Sequence, residues 1–227
     1  MQETTNKIER DFFIGLAVLI LVAVIFIIAH YSNHTQAEPQ TFSLPVPYTT
    51  QAPSGDWFGN EDCEEASVTM ANAYLTGNTS TVLPVADASK AINDLVSWEQ
   101  QNFGYNANTG AEQTAKFAQS VDKLHTEIVD NYTEDQLKQA LLNHKVILLM
   151  LNAEGLHNPN YGNNAPTYHV VVIYGYDGDA FIIHDPGTET GQSNKYTFTQ
   201  LQASGADWNN TTNKINPTRK VALLLSK

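Results

Sequence analysis

From Tyr168 to Pro186 the chain reads Tyr-His-Val-Val-Val-Ile-Tyr-Gly-Tyr-Asp-Gly-Asp-Ala-Phe-Ile-Ile-His-Asp-Pro. Val170 to Tyr174 and Phe181 to Ile183 have the β-branched and aromatic make-up of strands, and Tyr176-Asp177-Gly178-Asp179 between them is a hairpin signal. The stretch therefore predicts an antiparallel pair, with His169 heading the first strand and Asp185 ending the second. A connecting loop of three or five residues sets His169 and Asp185 opposite each other at the open end. Directly opposed residues have Cβ atoms only about 4.5–5.5 Å apart, near enough for a carboxylate to fix an imidazole. A register slip of one residue sends Asp185 to the other face. His184 is expected on the face opposite to Asp185.

Outward from this hairpin, Val146 to Leu151 is a short, fully apolar run that reads as a buried strand. The earlier part of the chain is helical in pattern. Cys63 to Leu75 places Ala66, Met70, Ala73 and Tyr74 on one face, with Gly77 as a stop. Asp87 to Gln100 spaces Ala91, Leu95 and Trp98 helically. Thr133-Glu134-Asp135-Gln136 is a capping box opening a helix through Leu142. Helices followed by an antiparallel sheet predict an α+β architecture.

The 227 residues are 42% hydrophobic, enough apolar content for one packed domain of ordinary size. A formal net charge of −12 repels phosphate backbones, so nucleic acid is not an expected partner. There is no zinc-type cysteine pair, no Gly-rich phosphate loop and no His-Glu-x-x-His helix. His157, His169 and His184 match no zinc spacing, and no metal or organic cofactor is expected.

Phe12 to Ala29 is uncharged and almost continuously apolar, close to the ~20 residues that a membrane-crossing helix needs. Lys7 and Arg10 precede it, and no Lys or Arg follows until Lys90. The expected organisation is a cytoplasmic N-terminus (1–11), a transmembrane signal anchor (12–29), a polar linker (30–40) and an extracytoplasmic domain (41–227). Cleavage as a signal peptide is the alternative, with Thr35-Gln36-Ala37 as a weak cleavage site.

Cys63 is the only cysteine, so it cannot close an intramolecular disulfide. It is either a small buried hydrophobe or a nucleophile. At a helix start, unpaired N–H groups favour a thiolate, whereas Glu61, Asp62, Glu64 and Glu65 oppose one. His169 is either a strand-end histidine or the base for Cys63. Asp185-Pro186 either ends a strand or supplies the third member of a triad. His157 to Pro166 is a polar loop that reads as a solvated connection or as the border of a cleft.

Four separated elements carry a family resemblance: Val46-Pro47-Tyr48-Thr49-Thr50-Gln51, then Trp57, then Cys63-Glu64-Glu65-Ala66-Ser67-Val68-Thr69-Met70, then the hairpin ending in His184-Asp185-Pro186. Over residues 44 to 205 the chain resembles the family-39 cysteine peptidases, the bacteriocin-processing-like branch of the papain-like superfamily. The resemblance implies a papain-like fold acting on a peptide or protein substrate. It implies Cys63 as nucleophile, His169 as base and then acid, and Asp185 as the orienting group. Gln51 would be the oxyanion donor, helped by the Cys63 backbone N–H. Many relatives carry Cys-Gly-Pro where this chain has Cys63-Glu64-Glu65. Transporter-linked members cut leader peptides, an activity not expected of a domain facing outward. Two other readings stay open: a peptidoglycan endopeptidase of the NlpC type, which shares Asp62-Cys63 and His169-Val170, and a catalytically silent papain-like binding domain.

Overall fold

The computed structural model describes residues 15–16, 19–24, 38–57, 60–162 and 164–227. Chain contacts separate a segment of residues 1–39 from a body of residues 40–227. Within the expected anchor, residues 15–16 and 19–24 are helical, and the rest of that span lies outside the described residues, as does most of the linker. Among the described residues no helix is long and apolar enough to cross a membrane.

The body is built on helix α1 (Cys63–Leu75), which has the predicted bounds. All residues from Cys63 to Ala71 are buried. Such a helix has no solvent face over its first half, which is why its sequence shows small residues rather than a clean apolar stripe. It packs across β3 (Val146–Leu151) and β4 (His169–Asp177) and is covered by α2 (Val85–Asn102) and α3 (Ala111–Ser120). Helix α4 (Glu134–Leu142) opens with the predicted capping box: Gln136 N donates to Thr133 Oγ1 at 3.2 Å and Thr133 N donates to Gln136 Oε1 at 2.9 Å. Thr197 and Gln200 repeat the device at α5 (Phe198–Ser204).

The main sheet is antiparallel. Its order is β2 (His125–Asp130), β9 (Val221–Ser226), β3, β4, β5 (Ala180–His184) and β6 (Asn194–Thr197). Strand β1 (Thr41–Ser43) shares one edge of β4 with β3, pairing with Gly175 to Asp177 where β3 has ended. Gly175 permits that approach, since a Cβ there would lie 2.6 Å from Phe42 O. A separate two-stranded sheet joins β7 (Asp207–Asn209) to β8 (Lys214–Asn216). The architecture is α+β, but its parts are interleaved. Strands β1 and β2 lie in the predicted helical half and α5 lies among the strands.

The hairpin departs from expectation in its details. Asp177 pairs with Ala180, leaving a two-residue turn, Gly178-Asp179, with Gly178 at φ +60° as a type II′ turn requires. The register then shifts by one: Gly175 faces Ile182, whereas Ile173 faces Ile183 and Val172 faces His184. Tyr174 is the extra residue of a bulge. Extended one step, this register sets Asp185 beside Val171, not directly opposite His169. The two share a face and are offset diagonally.

Two carboxyls are buried between α1 and α2. Glu65 and Glu99 are both within 1% of full burial, and neither Glu99 oxygen nor Glu65 Oε2 has a hydrogen-bond partner. Burial pushes Glu99 up to about 8 and Glu65 well above the carboxylate range, with the charges of Glu64, Glu99 and Asp62 adding to the latter. Folded protein therefore holds protons here that the unfolded chain, with carboxyls near ~4.3, has released. The stability this gives is present in acid and is lost as pH rises towards 8. Glu99→Gln, which removes one of the two buried carboxyls, should be increasingly stabilising from pH 5 to pH 9. In thermal melts the variant's Tm advantage over the native chain should grow by about 5 °C over that range. A pH-independent difference would rule out a proton held by the buried Glu99 carboxyl.

Candidate active site

The fold brings all four residues singled out in the sequence to one place. Cys63, Gln51 and His169 line a cavity of about 330 Å³, and Asp185 lies directly behind His169. Cys63 reaches it from the first turn of α1, His169 from the first residue of β4, and Asp185 from the residue after β5.

His169 and Asp185 are 1% and 0% exposed, and His169 Nε2 donates to Asp185 Oδ1 at 2.8 Å. With Nε2 committed, Nδ1 is the ring nitrogen left for chemistry. Asp185 is held by three further donors: Tyr161 Oη at 2.7 Å, Gly187 N at 2.9 Å and Asn158 Nδ2 at 3.1 Å. Burial alone would raise this carboxyl, but the charge of His169 and these bonds hold it below its ordinary value, so it is ionised. An acceptor with four donors fixes both the tautomer and the plane of the imidazole. Gly187 is needed for the same geometry. A Cβ there would fall onto Tyr161 Oη and come within 2.8 Å of His169 Cε1.

Gln51 is placed by its backbone and its side chain. Its N–H donates to Pro186 O at 2.9 Å, tying it to the Asp185 loop. Its Nε2 donates to Asn60 O at 2.8 Å, which uses one amide proton and leaves the other. Asn60 in turn bonds Gln51 O and Asp62 Oδ2, so the segment before α1 is braced against Gln51. Asp62 makes no side-chain cap on α1, and the helix-start amides are not taken up by it.

The thiol is in an unusual setting. Cys63 is 3% exposed and its Sγ donates to Glu64 Oε2 at 2.9 Å. Burial pushes the thiol well above its ordinary pKa, the Glu64 and Glu65 carboxyls add to this, and the Val170 backbone acts in the opposite sense. Glu64 is itself pushed up to about 7 by burial, against the donors Cys63 and Thr109. The four acids near Cys63 are thus not equivalent: Glu61 is exposed, Asp62 half-buried, and Glu64 and Glu65 are inside.

Several contributors were not read from the sequence. Asn158 and Tyr161 come from the polar loop 157–166, which borders the cleft through Tyr161, Asn164 and Pro166. Gly187, immediately after Asp185-Pro186, was the one available signal, since a glycine following a functional loop residue marks close approach. His184 faces away, as expected, with Nε2 donating to Val46 O at 3.0 Å and Nδ1 accepting from Ser193 N at 3.3 Å. Burial lowers its pKa to about 4, so it is a neutral anchor for the Val46–Gln51 segment. His157 lies on a neighbouring cavity with Asn158 rather than with Cys63.

Comparison with solved structures shows a shared fold in one case. A Bacillus anthracis protein described as a C39-like peptidase superposes with a TM-score of 0.54 at 15% identity, covering 82% of this chain and 98% of that one. The peptidase domain of Streptococcus ComA, a bifunctional ABC transporter of a quorum-sensing pathway, gives a TM-score of 0.41 at 15% identity, covering 73% of this chain and 91% of the other. The sequence has no match among curated proteins. The model of the Peptidase_C39 like family matches residues 43–216, from β1 to the end of β8. With most of its length in that match, the chain belongs to the Peptidase_C39 like family.

Proposed function

We propose that the protein is a cysteine peptidase that hydrolyses peptide bonds through a thioester. The observation that carries this is the convergence of Cys63, Gln51 and His169 on one cavity, with His169 locked at 2.8 Å on a buried, ionised Asp185. Cys63 Sγ attacks the scissile carbonyl while its proton passes to His169. The free amide proton of Gln51 and the Cys63 N–H hold the oxyanion. The imidazolium, stabilised by Asp185, protonates the leaving amine, and His169 then activates the water that hydrolyses the thioester. None of these steps needs a metal or an organic cofactor.

In our reading the enzyme is anchored by the apolar segment 12–29 with its catalytic domain outside the cytoplasm. The support is the sequence: an uncharged apolar run preceded by Lys7 and Arg10. Protease treatment of intact cells should degrade the domain, and it should stay with the membrane fraction after a salt wash. Protection in intact cells would overturn this placement.

A second reading, a silent peptide-binding domain, is favoured by one observation: the thiol donates to Glu64 and is pushed towards its neutral form. Incubation of the purified protein with a peptide library, read by mass spectrometry, separates the two. Cleavage by the native chain and none by Cys63→Ala is the expected result. Equal cleavage by both would sink the assignment, and no cleavage by either would support the silent domain.

Two graded variants test the geometry. Gln51→Ala should lower kcat by about 10²–10³, the usual loss for an oxyanion donor. Gly187→Ala, whose Cβ displaces the His169 ring, should lower kcat/KM by at least about 10² with the circular dichroism spectrum unchanged. Native turnover in Gly187→Ala would show that the ring position is not required.

A further inference from the structure

Two buried acids beside the nucleophile have no part in the mechanism above, and one of them touches the reacting atom. Glu64 Oε2 accepts the Cys63 Sγ proton at 2.9 Å. Its other oxygen, Oε1, accepts from Thr109 N at 2.6 Å and Thr109 Oγ1 at 3.4 Å. The residue is 1% exposed and Thr109 is fully buried. An acid that serves a helix start electrostatically lies in solvent near the free amides. Glu64 instead folds back onto the sulfur and is held there from outside the helix. The loop that holds it is itself anchored, with Gly110 N on Asn210 Oδ1 at 2.9 Å and Ala111 N on Asp207 Oδ1 at 3.0 Å.

We propose that Glu64 keeps Cys63 as a protonated thiol in the free enzyme, so that the nucleophile is unmasked only in the attack step. The proposal deepens the peptidase reading and rests on it. In the attack the Sγ–C bond forms, the carbonyl electron pair moves onto oxygen, and the thiol proton goes to His169 Nδ1. That proton later leaves on the amine as the C–N bond breaks, and Glu64, pushed up to about 7 and ionised above that pH, does not take it up. A free thiolate would carry a full negative charge against Glu64. Sulfur bonded to the acyl carbon carries none. The charge then sits on the carbonyl oxygen, where Gln51 and the Cys63 N–H hold it, so Glu64 opposes a thiolate directly on the sulfur more strongly than the intermediate and raises the cost of the attack step.

The surroundings favour this arrangement. Glu65 faces the pair from α1, Glu99 from α2, Tyr161 from the polar loop, and Tyr168 and His169 from the start of β4, while Asp62, just before α1, is engaged by Asn60 and Asn106. Only His169 among them can be cationic, and it is already paired with Asp185. The burial and carboxylate effects that push the thiol up act in the same direction as the hydrogen bond.

The single cysteine makes the test unambiguous. The rate of alkylation of the full chain by iodoacetamide, followed by mass spectrometry from pH 5 to pH 10, reports the thiolate fraction of Cys63 through the cavity it lines. The native midpoint should lie above the ~8.5 of a free cysteine. Glu64→Gln keeps an acceptor for Thr109 N and removes the charge, so its midpoint should fall by at least about one pH unit, with alkylation at pH 7 about tenfold faster. A native midpoint at or below ~8.5, or an unchanged or higher midpoint in Glu64→Gln, overturns the proposal. If the variant fails to fold, the native profile alone decides. Alkylation needs no substrate, so the two readings fail separately. A chain with the expected profile that cleaves no peptide keeps the thiol assignment and loses the peptidase. An active peptidase with an ordinary thiol does the reverse.

Discussion

One unpaired residue, Tyr174, decides which side chains meet in this protein. Side chains alternate across a strand, so an extra residue on β4 inverts the facing of everything beyond it relative to β5. Without the bulge, the two-residue turn would bring His184 onto the face of His169 and turn Asp185 away. With it, Asp185 shares the His169 face and reaches the ring diagonally, a separation that a long or aromatic side chain can span. The Tyr174 ring stacks on His184 at 4.2 Å between centroids, so the bulged residue also secures the histidine it displaced. Two neighbours thereby take opposite parts: His184 is neutral and pins the Val46–Gln51 segment, while Asp185 is charged and pins the imidazole.

The second organising constraint is electrostatic. A carboxylate buried without a donor is costly, and three lie within the first turn of α1 and its neighbour α2. Two solutions serve the three. Glu64 accepts hydrogen bonds from the Thr109 amide and the thiol, and burial pushes Glu65 and Glu99 towards their protonated forms. Thr109 can serve because the loop before α3 is tied down by Asp207 and Asn210, and Asp207 is compensated by Arg219 at 2.7 Å. Arg219 also binds Asp130 and Glu112, so one guanidinium near the C-terminal strand stabilises the platform on which Glu64 rests.

Much of this was legible in the sequence wherever a local signal and a tertiary demand agree. Helix α1 and strand β3 have the predicted bounds because a long run of buried residues leaves few alternatives. The capping box of α4 is purely local chemistry and reads directly. Helix α3 escaped notice because its buried face is mostly Ala and Thr, with Phe117 as the single large residue, and small residues give a weak periodic signal. The site residues were legible as types in order. Their relation was not, since the register depends on a bulge that no turn residue announces. The inward fold of Glu64 was hidden for a related reason: acids in a first helical turn are ordinary, and burial is decided by what packs over them.

These features bear on each other through the state of the sulfur. A thiolate is the form that reacts with electrophiles and oxidants, and a chain with one cysteine has no resolving partner to reverse a sulfenic acid. For a domain proposed to work outside the cytoplasm, a standing ion pair would expose the nucleophile continuously, whereas a thiol held against a carboxylate is exposed only while substrate is present. The cost falls on the attack step, which must move a proton that an ion-pair enzyme has already moved. That cost is bearable only if the acceptor is ready, and the fourfold grip on Asp185 makes His169 ready by fixing its tautomer before substrate arrives. In the proposed mechanism the acidic neighbours of Cys63 and the dense donor shell of Asp185 therefore belong to one arrangement: the first delays the proton's departure from sulfur, and the second fixes where it goes.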